Sequence, residues 1–145
     1  MDKIYFAGSI RGGRDDVELY IKLIKHLRQY GEVLTEHIGN KKLSLLGEDG
    51  LTDPEIHDRD MNWLGQSKNI VCEVTTASLG VGYELGRIVE RNLWVSEAKQ
   101  KRILCLYRQQ VNKRLSAMIA GSDGITNLEY KTLDEAKKAI DDFFS

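Results

Sequence analysis

Asn69-Ile70-Val71-Cys72-Glu73-Val74-Thr75-Thr76-Ala77-Ser78-Leu79-Gly80-Val81-Gly82-Tyr83-Glu84 is the stretch on which the fold turns. Its first six residues are almost continuously apolar, the pattern of a strand covered on both sheet faces. Burial on both faces is the condition of a parallel sheet flanked by helices, and the chain passes from this strand directly into helical spacing.

The same alternation extends outward in both directions. Ile4 to Ala7 reads as a first strand, and Val17, Tyr20, Ile21, Ile24 and Leu27 follow helical spacing to a stop at Tyr30-Gly31. Glu32 to Glu36 reads as a second, short strand, and the polar stretch from His37 to Asp53 as a long loop. Asp53 is expected to cap a second helix, with Pro54 at its first helical position. Beyond the central strand, helical spacing runs from Val81 to about Lys99. Ile103 to Tyr107 is expected to be a fourth strand, Lys113 to Ala120 a short helix and Asn127 to Tyr130 a fifth strand. Thr132-Leu133-Asp134-Glu135 is a capping box opening a last helix that buries Ala136, Ala139, Ile140 and Phe143. The expected architecture is an α/β, Rossmann-like, doubly wound parallel sheet of about five strands with helices on both faces. Residues 1–145 form one domain of this kind, and in such sheets ligands gather where strand C-termini point.

Composition narrows the partners. With 41% hydrophobic and 30% charged residues the chain can bury a core and stay dissolved, which excludes disorder. Twenty-one basic against twenty-two acidic side chains leave a net charge of -1, so no global field attracts a nucleic acid polymer or an anionic membrane. No apolar run approaches the roughly 18 residues of a membrane helix, and Met1-Asp2-Lys3-Ile4 does not open a signal peptide. The expected location is intracellular: cytoplasmic, with the nucleus not distinguished from it. Cys72 and Cys105 fall within apolar runs and read as buried thiols. His26, His37 and His57 lack HExxH spacing, so neither a metal nor a cofactor is expected.

Three places can carry chemistry. Gly8-Ser9-Ile10-Arg11-Gly12-Gly13-Arg14 follows the first strand and matches neither GxGxxG nor a P-loop. Its glycines still let backbone N–H groups approach an anion, and Arg11 can grip a phosphate. Ser78 to Glu84 enters the helix after the third strand, where Ser78 can offer a hydroxyl and Gly80 more backbone N–H groups. The positive helix end is expected to keep Glu84 ionised. On the second helix Ile56, Asp60, Trp63, Leu64 and Ser67 share one stripe, placing Asp60 inward and Glu55, Asp58 and Arg59 outward. Desolvation would favour the protonated form of an inward Asp60, and two carboxyls in unlike environments suit glycosyl-bond chemistry. An alternative is a purely structural Asp60 bonded to a neighbouring loop. Tyr5, inside the first strand, needs a partner for its hydroxyl, which a carboxylate across the sheet top would supply.

Tyr5 to Arg14, Val33-Leu34-Thr35-Glu36-His37, Ile56-His57 with Asp60-Met61-Asn62-Trp63-Leu64, Ser78 to Gly86 and Leu115-Ser116-Ala117-Met118-Ile119 together resemble the 2'-deoxynucleoside 5'-phosphate N-hydrolases, relatives of the nucleoside 2-deoxyribosyltransferases. The resemblance spans most of the chain and implies the same Rossmann-like fold. It implies cleavage of a deoxynucleoside monophosphate to free base and 2-deoxyribose 5-phosphate. By that likeness Glu84 is the nucleophile, Asp60 the proton donor to the leaving base, and Tyr5 the residue that orients Glu84. Gly8, Ser9, Ile10, Arg11 and Gly12, with Ser78 and Gly80, would hold sugar and phosphate. The active assembly would be a homodimer in which Ser116 and Met118 reach the neighbouring subunit's site. Arg91 to Arg102 is longer than the connection typical of the family and could reshape the dimer surface, with Trp94 either an anchor or core. Two other functions fit the same scaffold: a deoxyribosyltransferase, in which a second base accepts the sugar, and a nucleotide-binding module without catalysis.

Overall fold

The computed structural model describes residues 1–9, 16–35 and 50–145. Strands Lys3–Ala7 (β1), Glu32–Val33 (β2), Asn69–Glu73 (β3), Arg102–Arg108 (β4) and Thr126–Tyr130 (β5) alternate with helices Val17–Leu27 (α1), Asp53–Gln66 (α2), Leu79–Asn92 (α3), Ala117–Ala120 (α4) and Leu133–Phe144 (α5). The strands form one sheet in the order β2-β1-β3-β4-β5, and every neighbouring pair is parallel. This is the α/β architecture read from the alternating apolar runs.

Two cores lie on opposite sheet faces because strand side chains alternate. Ile4, Phe6, Val71, Leu104 and Leu106 point one way and meet Tyr20, Leu23, Ile24 and Leu27 of α1 and Ala136, Ile140 and Phe143 of α5. Tyr5, Ala7, Ile70, Cys72, Ile103 and Cys105 point the other way and meet Leu64 of α2 and Val81, Leu85 and Ile88 of α3. All five residues of β3 are buried, which is why its sequence lacks polar alternation. Cys72 and Cys105 are free and buried, opposite each other on β3 and β4.

The element boundaries differ from the sequence reading in four places, each with a local cause. β2 ends at Val33, because the Thr35 hydroxyl takes over the edge pairing: it accepts from the Phe6 N–H at 2.8 Å and donates to the Phe6 carbonyl at 2.6 Å. Glu36 and the loop to 49 lie outside the described residues. The cap of α2 is Thr52, not Asp53; Thr52 and Glu55 form a capping box, and Pro54 sits one position later than expected. Helix α3 begins at Leu79 and stops at Asn92, well short of Lys99. There the Asn92 side chain accepts from Lys101 N–H and donates to the Lys101 carbonyl, folding 93–101 back through a 3-10 turn at Glu97–Lys99. Leu93 and Trp94 are exposed, so Trp94 is not core; its indole N–H bonds Glu90 at 2.8 Å. The helix expected from Lys113 is reduced to Ala117–Ala120, with Ser116 as its cap.

Lys101 secures the lower end of α2. Its ammonium donates to the carbonyls of Gly65 and Ser67 at 2.8 and 2.7 Å, satisfying groups that a helix end leaves without partners.

Candidate active site

With strand order β2-β1-β3-β4-β5, the connections after β1 and after β3 run in opposite directions and leave a crevice at their shared top. Tyr5 stands on β1 beneath that crevice, on the face covered by α2 and α3. It is buried, and its hydroxyl donates a short hydrogen bond to Glu84 Oε2, the partner expected of it. Burial and the charges of Glu84 and Asp60 hold the phenol far above its ordinary pKa, so it remains a donor. Asp60 of α2 lies near enough for its charge to act on both Tyr5 and Glu84. Three residues 24 or more positions apart in the chain thus converge on one spot. His57 of α2 stacks on Tyr83 of α3, with ring centroids 5.7 Å apart, tying together the two helices that carry the carboxyls.

The electrostatics differ from the sequence reading. The helix end does not hold Glu84 fully ionised: burial, opposed by the Tyr5 hydrogen bond and helped by the Asp60 charge, raises its pKa to about 7. The helix dipole acts mainly within the first turn, and Glu84 is the sixth residue of α3, in the second turn. Asp60 is not a deeply inward carboxyl; its side chain is 23% exposed and pairs with its neighbour. Arg59, expected to face outward, turns back so that Nε and Nη2 both donate to Asp60 Oδ1, at 3.0 and 2.9 Å. Its guanidinium also lies 4.6 Å over the Trp63 ring, one turn along the helix. A guanidinium in that position favours the charged form of the carboxyl it grips.

The other expected site residues divide. Ser78 caps α3, accepting from Val81 N–H at 3.3 Å, which leaves its own hydroxyl proton to give. Gly80 lies in the first turn of α3, where backbone N–H groups have no carbonyl one turn back. Gly8 is packed against Tyr20, and a Cβ there would lie 2.8 Å from the ring, so this glycine is required by packing whatever else it does. Ser9 is buried and its N–H donates to the Tyr20 hydroxyl at 3.0 Å. Ile10, Arg11 and Gly12 lie outside the described residues.

Beside the N-terminus of α3, on the side away from α2, a cavity of about 520 Å³ is lined by Thr75, Ser78, Gly82, Tyr107, Ser116 and Met118 among others. Ser116 caps α4 by accepting from Met118 N–H, and Met118 is 83% exposed. Ser78, expected at this chain's own site, and Ser116 and Met118, expected to reach a neighbouring subunit's site, thus line one cavity of the same chain.

One cluster escaped it. Glu73, fully buried, accepts from Thr75 N–H at 2.7 Å, from the Thr75 hydroxyl at 2.9 Å and from the Tyr130 hydroxyl. Arg108 donates from its N–H to the same Thr75 hydroxyl oxygen and pairs with Asp16 at 2.9 Å, joining the start of α1 to the β3–α3 connection. A carboxylate inside an otherwise apolar strand was the available signal. Among the described residues no group of three His, Cys, Asp or Glu could hold a metal ion, and no helix is long and apolar enough to cross a membrane.

A family model described as nucleoside 2-deoxyribosyltransferase matches residues 4–128, from β1 into β5. A protein of Danio rerio named 5-hydroxymethyl-dUMP N-hydrolase is 51% identical over 144 residues, covering 97% of this chain and 94% of its own. Its namesake in Tetraodon nigroviridis is 47% identical over 146 residues, covering 99% and 97%. Among solved structures, a CMP N-glycosidase of Clostridium botulinum superposes with a TM-score of 0.68 over 97% of this chain and 98% of its own, at 14% identity, a likeness of fold. On the matched family model and these near-full-length relatives, the chain belongs to the nucleoside 2-deoxyribosyltransferase family.

Proposed function

We propose that this protein is a hydrolase that cleaves the N-glycosidic bond of 2'-deoxynucleoside 5'-monophosphates, giving free base and 2-deoxyribose 5-phosphate. The observation that carries the proposal is the convergence of Tyr5, Asp60 and Glu84 at the top of β1. Names of relatives about half identical in sequence support N-glycosidic cleavage and a monophosphate substrate.

The transition state of such a cleavage carries positive charge on the sugar, and an anion beneath it lowers the barrier. Glu84 supplies that anion and then a covalent bond to the anomeric carbon, with Tyr5 fixing one of its oxygens. Asp60 gives a proton to the departing base and afterwards takes one from the attacking water. Ser78 and the first N–H groups of α3, with the Gly8 to Gly12 loop, bind sugar and phosphate. The working assembly is a homodimer, with Ser116 and Met118 contributing to the neighbouring site; no metal or cofactor takes part.

The test incubates the protein with deoxynucleoside monophosphates, ribonucleotides and unphosphorylated deoxynucleosides, with and without a second free base, and measures released base. Release from phosphorylated deoxy substrates in water, abolished by Glu84→Gln, is the expected result. Release that requires the added base would replace hydrolysis with transfer, and binding without release would leave a non-catalytic module.

A further inference from the structure

Resting on that reading, we propose that Arg59 is a positioning residue that sets where the single proton of the Asp60–Glu84 pair resides, holding Asp60 as the anion in the free enzyme until substrate displaces its grip. Two guanidinium nitrogens of Arg59 reach the same Asp60 oxygen at 2.9 and 3.0 Å, and the carboxyl they hold is largely withdrawn from water. A charge-assisted contact of this kind stabilises the carboxylate and opposes its protonation. Among the described residues, the other titratable groups facing Asp60 are Glu84 from α3 and Tyr5 from β1. Glu84, mostly buried against β1, has its pKa raised to about 7, and the pair's single proton is assigned to it in the free enzyme.

Chemistry needs the opposite arrangement. Cleavage calls for an ionised Glu84 and a protonated Asp60, so one proton must pass from the Glu84 carboxyl to Asp60. Glu84 then bonds to the anomeric carbon as the carbon–nitrogen bond breaks. The bonding pair leaves with the base, which takes the proton from Asp60. Water next gives its hydroxide to the anomeric carbon, freeing Glu84, and its proton to Asp60, restoring one proton to the pair. Arg59 therefore resists the first transfer as long as it grips Asp60. The guanidinium already lies 4.6 Å from the Trp63 ring centroid while it grips Asp60, so the ring keeps the side chain at the site when that grip is loosened. A base moving against Asp60 supplies the displacement, and the proton shift is thereby tied to substrate arrival.

The experiment compares the protein with Arg59→Gln and Arg59→Lys. Two readouts are taken: the pH profile of kcat/KM for deoxynucleoside monophosphate cleavage, and the carboxyl carbon resonance of Asp60 titrated by NMR in the free protein. Removing the cation should move the Asp60 titration and the acid limb of the profile upward by about one unit or more, the usual scale for a lost opposite charge. Arg59→Lys should fall between the two. Arg59 is partly exposed, so these variants should fold, and a Trp63→Leu variant that keeps the cation should leave the acid limb closer to that of the parent. An Asp60 titration unmoved in Arg59→Gln would overturn the proposal, as would activity lost at all pH with the limbs unchanged. Were no cleavage found at all, the NMR arm would still decide the role of Arg59 while the proposed hydrolysis fell.

Discussion

Glu84 should weaken the fold at alkaline pH, and its removal should strengthen it. Burial raises the carboxyl's pKa from 4.5 to about 7, so between those values the folded chain keeps a proton that the unfolded chain has released. Stability then falls as pH rises through this window, by 2.303RT for each unit of pH over which the two states differ by one proton. The span from 4.5 to about 7 corresponds to roughly 3 kcal/mol, fully developed above about pH 8 and absent below about pH 4. Glu84→Gln keeps the shape and an oxygen to accept from Tyr5, and carries no charge to desolvate. Its melting temperature should therefore exceed the parent's by roughly 5–10 °C at about pH 8.5, with the difference shrinking towards zero at about pH 4.5. Thermal melts by circular dichroism across that range, checked by urea unfolding at both ends, measure it. A difference that is flat with pH, or that grows towards acid, would show that Glu84 is ionised in the fold at least as readily as in the unfolded chain.

Asp60→Asn should lower kcat by about 10²- to 10⁴-fold, the range for a lost general acid, in single-turnover assays of base release, and Glu84→Gln should lower it at least as far. Tyr5→Phe removes the hydrogen bond that favours ionised Glu84, so the Glu84 titration followed by carboxyl NMR should move upward from about 7. Gly8→Ala places a Cβ 2.8 Å from the Tyr20 ring and should cost about 1–3 kcal/mol in urea unfolding. If Ser116 completes the neighbouring site, mixing Glu84→Gln and Ser116→Ala subunits should restore up to about a quarter of parental activity, because half the dimers are mixed and each has one intact site.

What the sequence made legible follows from which forces act locally. The doubly covered β3 is announced by its own residues, since its buried positions are mostly apolar and the buried Glu73 carboxylate accepts three hydrogen bonds. The inward faces of α1 and α5 are largely visible through helical period: Tyr20, Ile24 and Leu27, and Ala136, Ile140 and Phe143, are buried as expected, whereas Leu23 takes the buried place expected of Ile21. Helix ends were less visible. Nothing apolar stops at Asn92, as Leu93 and Trp94 follow, and the stop depends on an Asn92 side chain meeting Lys101, a contact across the fold-back. The shortness of β2 depends in the same way on Thr35 reaching β1. Residue types at the site could be picked out, whereas their protonation could not, because a carboxyl's charge is set by neighbours in space. The turn-to-turn geometry of α2 said where Asp60 points and was silent on a flexible Arg59 folding back onto it.

The topology explains why one anion and one proton meet here. Both crossovers return antiparallel to the strands, α2 leading down to β3 and α3 leading down from its top, and both pack on the sheet face that carries Tyr5. A carboxyl on the second turn of α3 that faces β1 is removed from water and from the helix terminus at once, and the Tyr5 hydroxyl on β1 offsets part of that cost. A carboxyl on α2 stands nearer the rim, where a long basic side chain from the same helix can reach it. The charge of Asp60 acts on Glu84, and by the proposal above the residue at position 59 favours keeping that charge on Asp60. Exchanging that single residue should consequently move the pH range of activity while leaving every group that touches substrate in place.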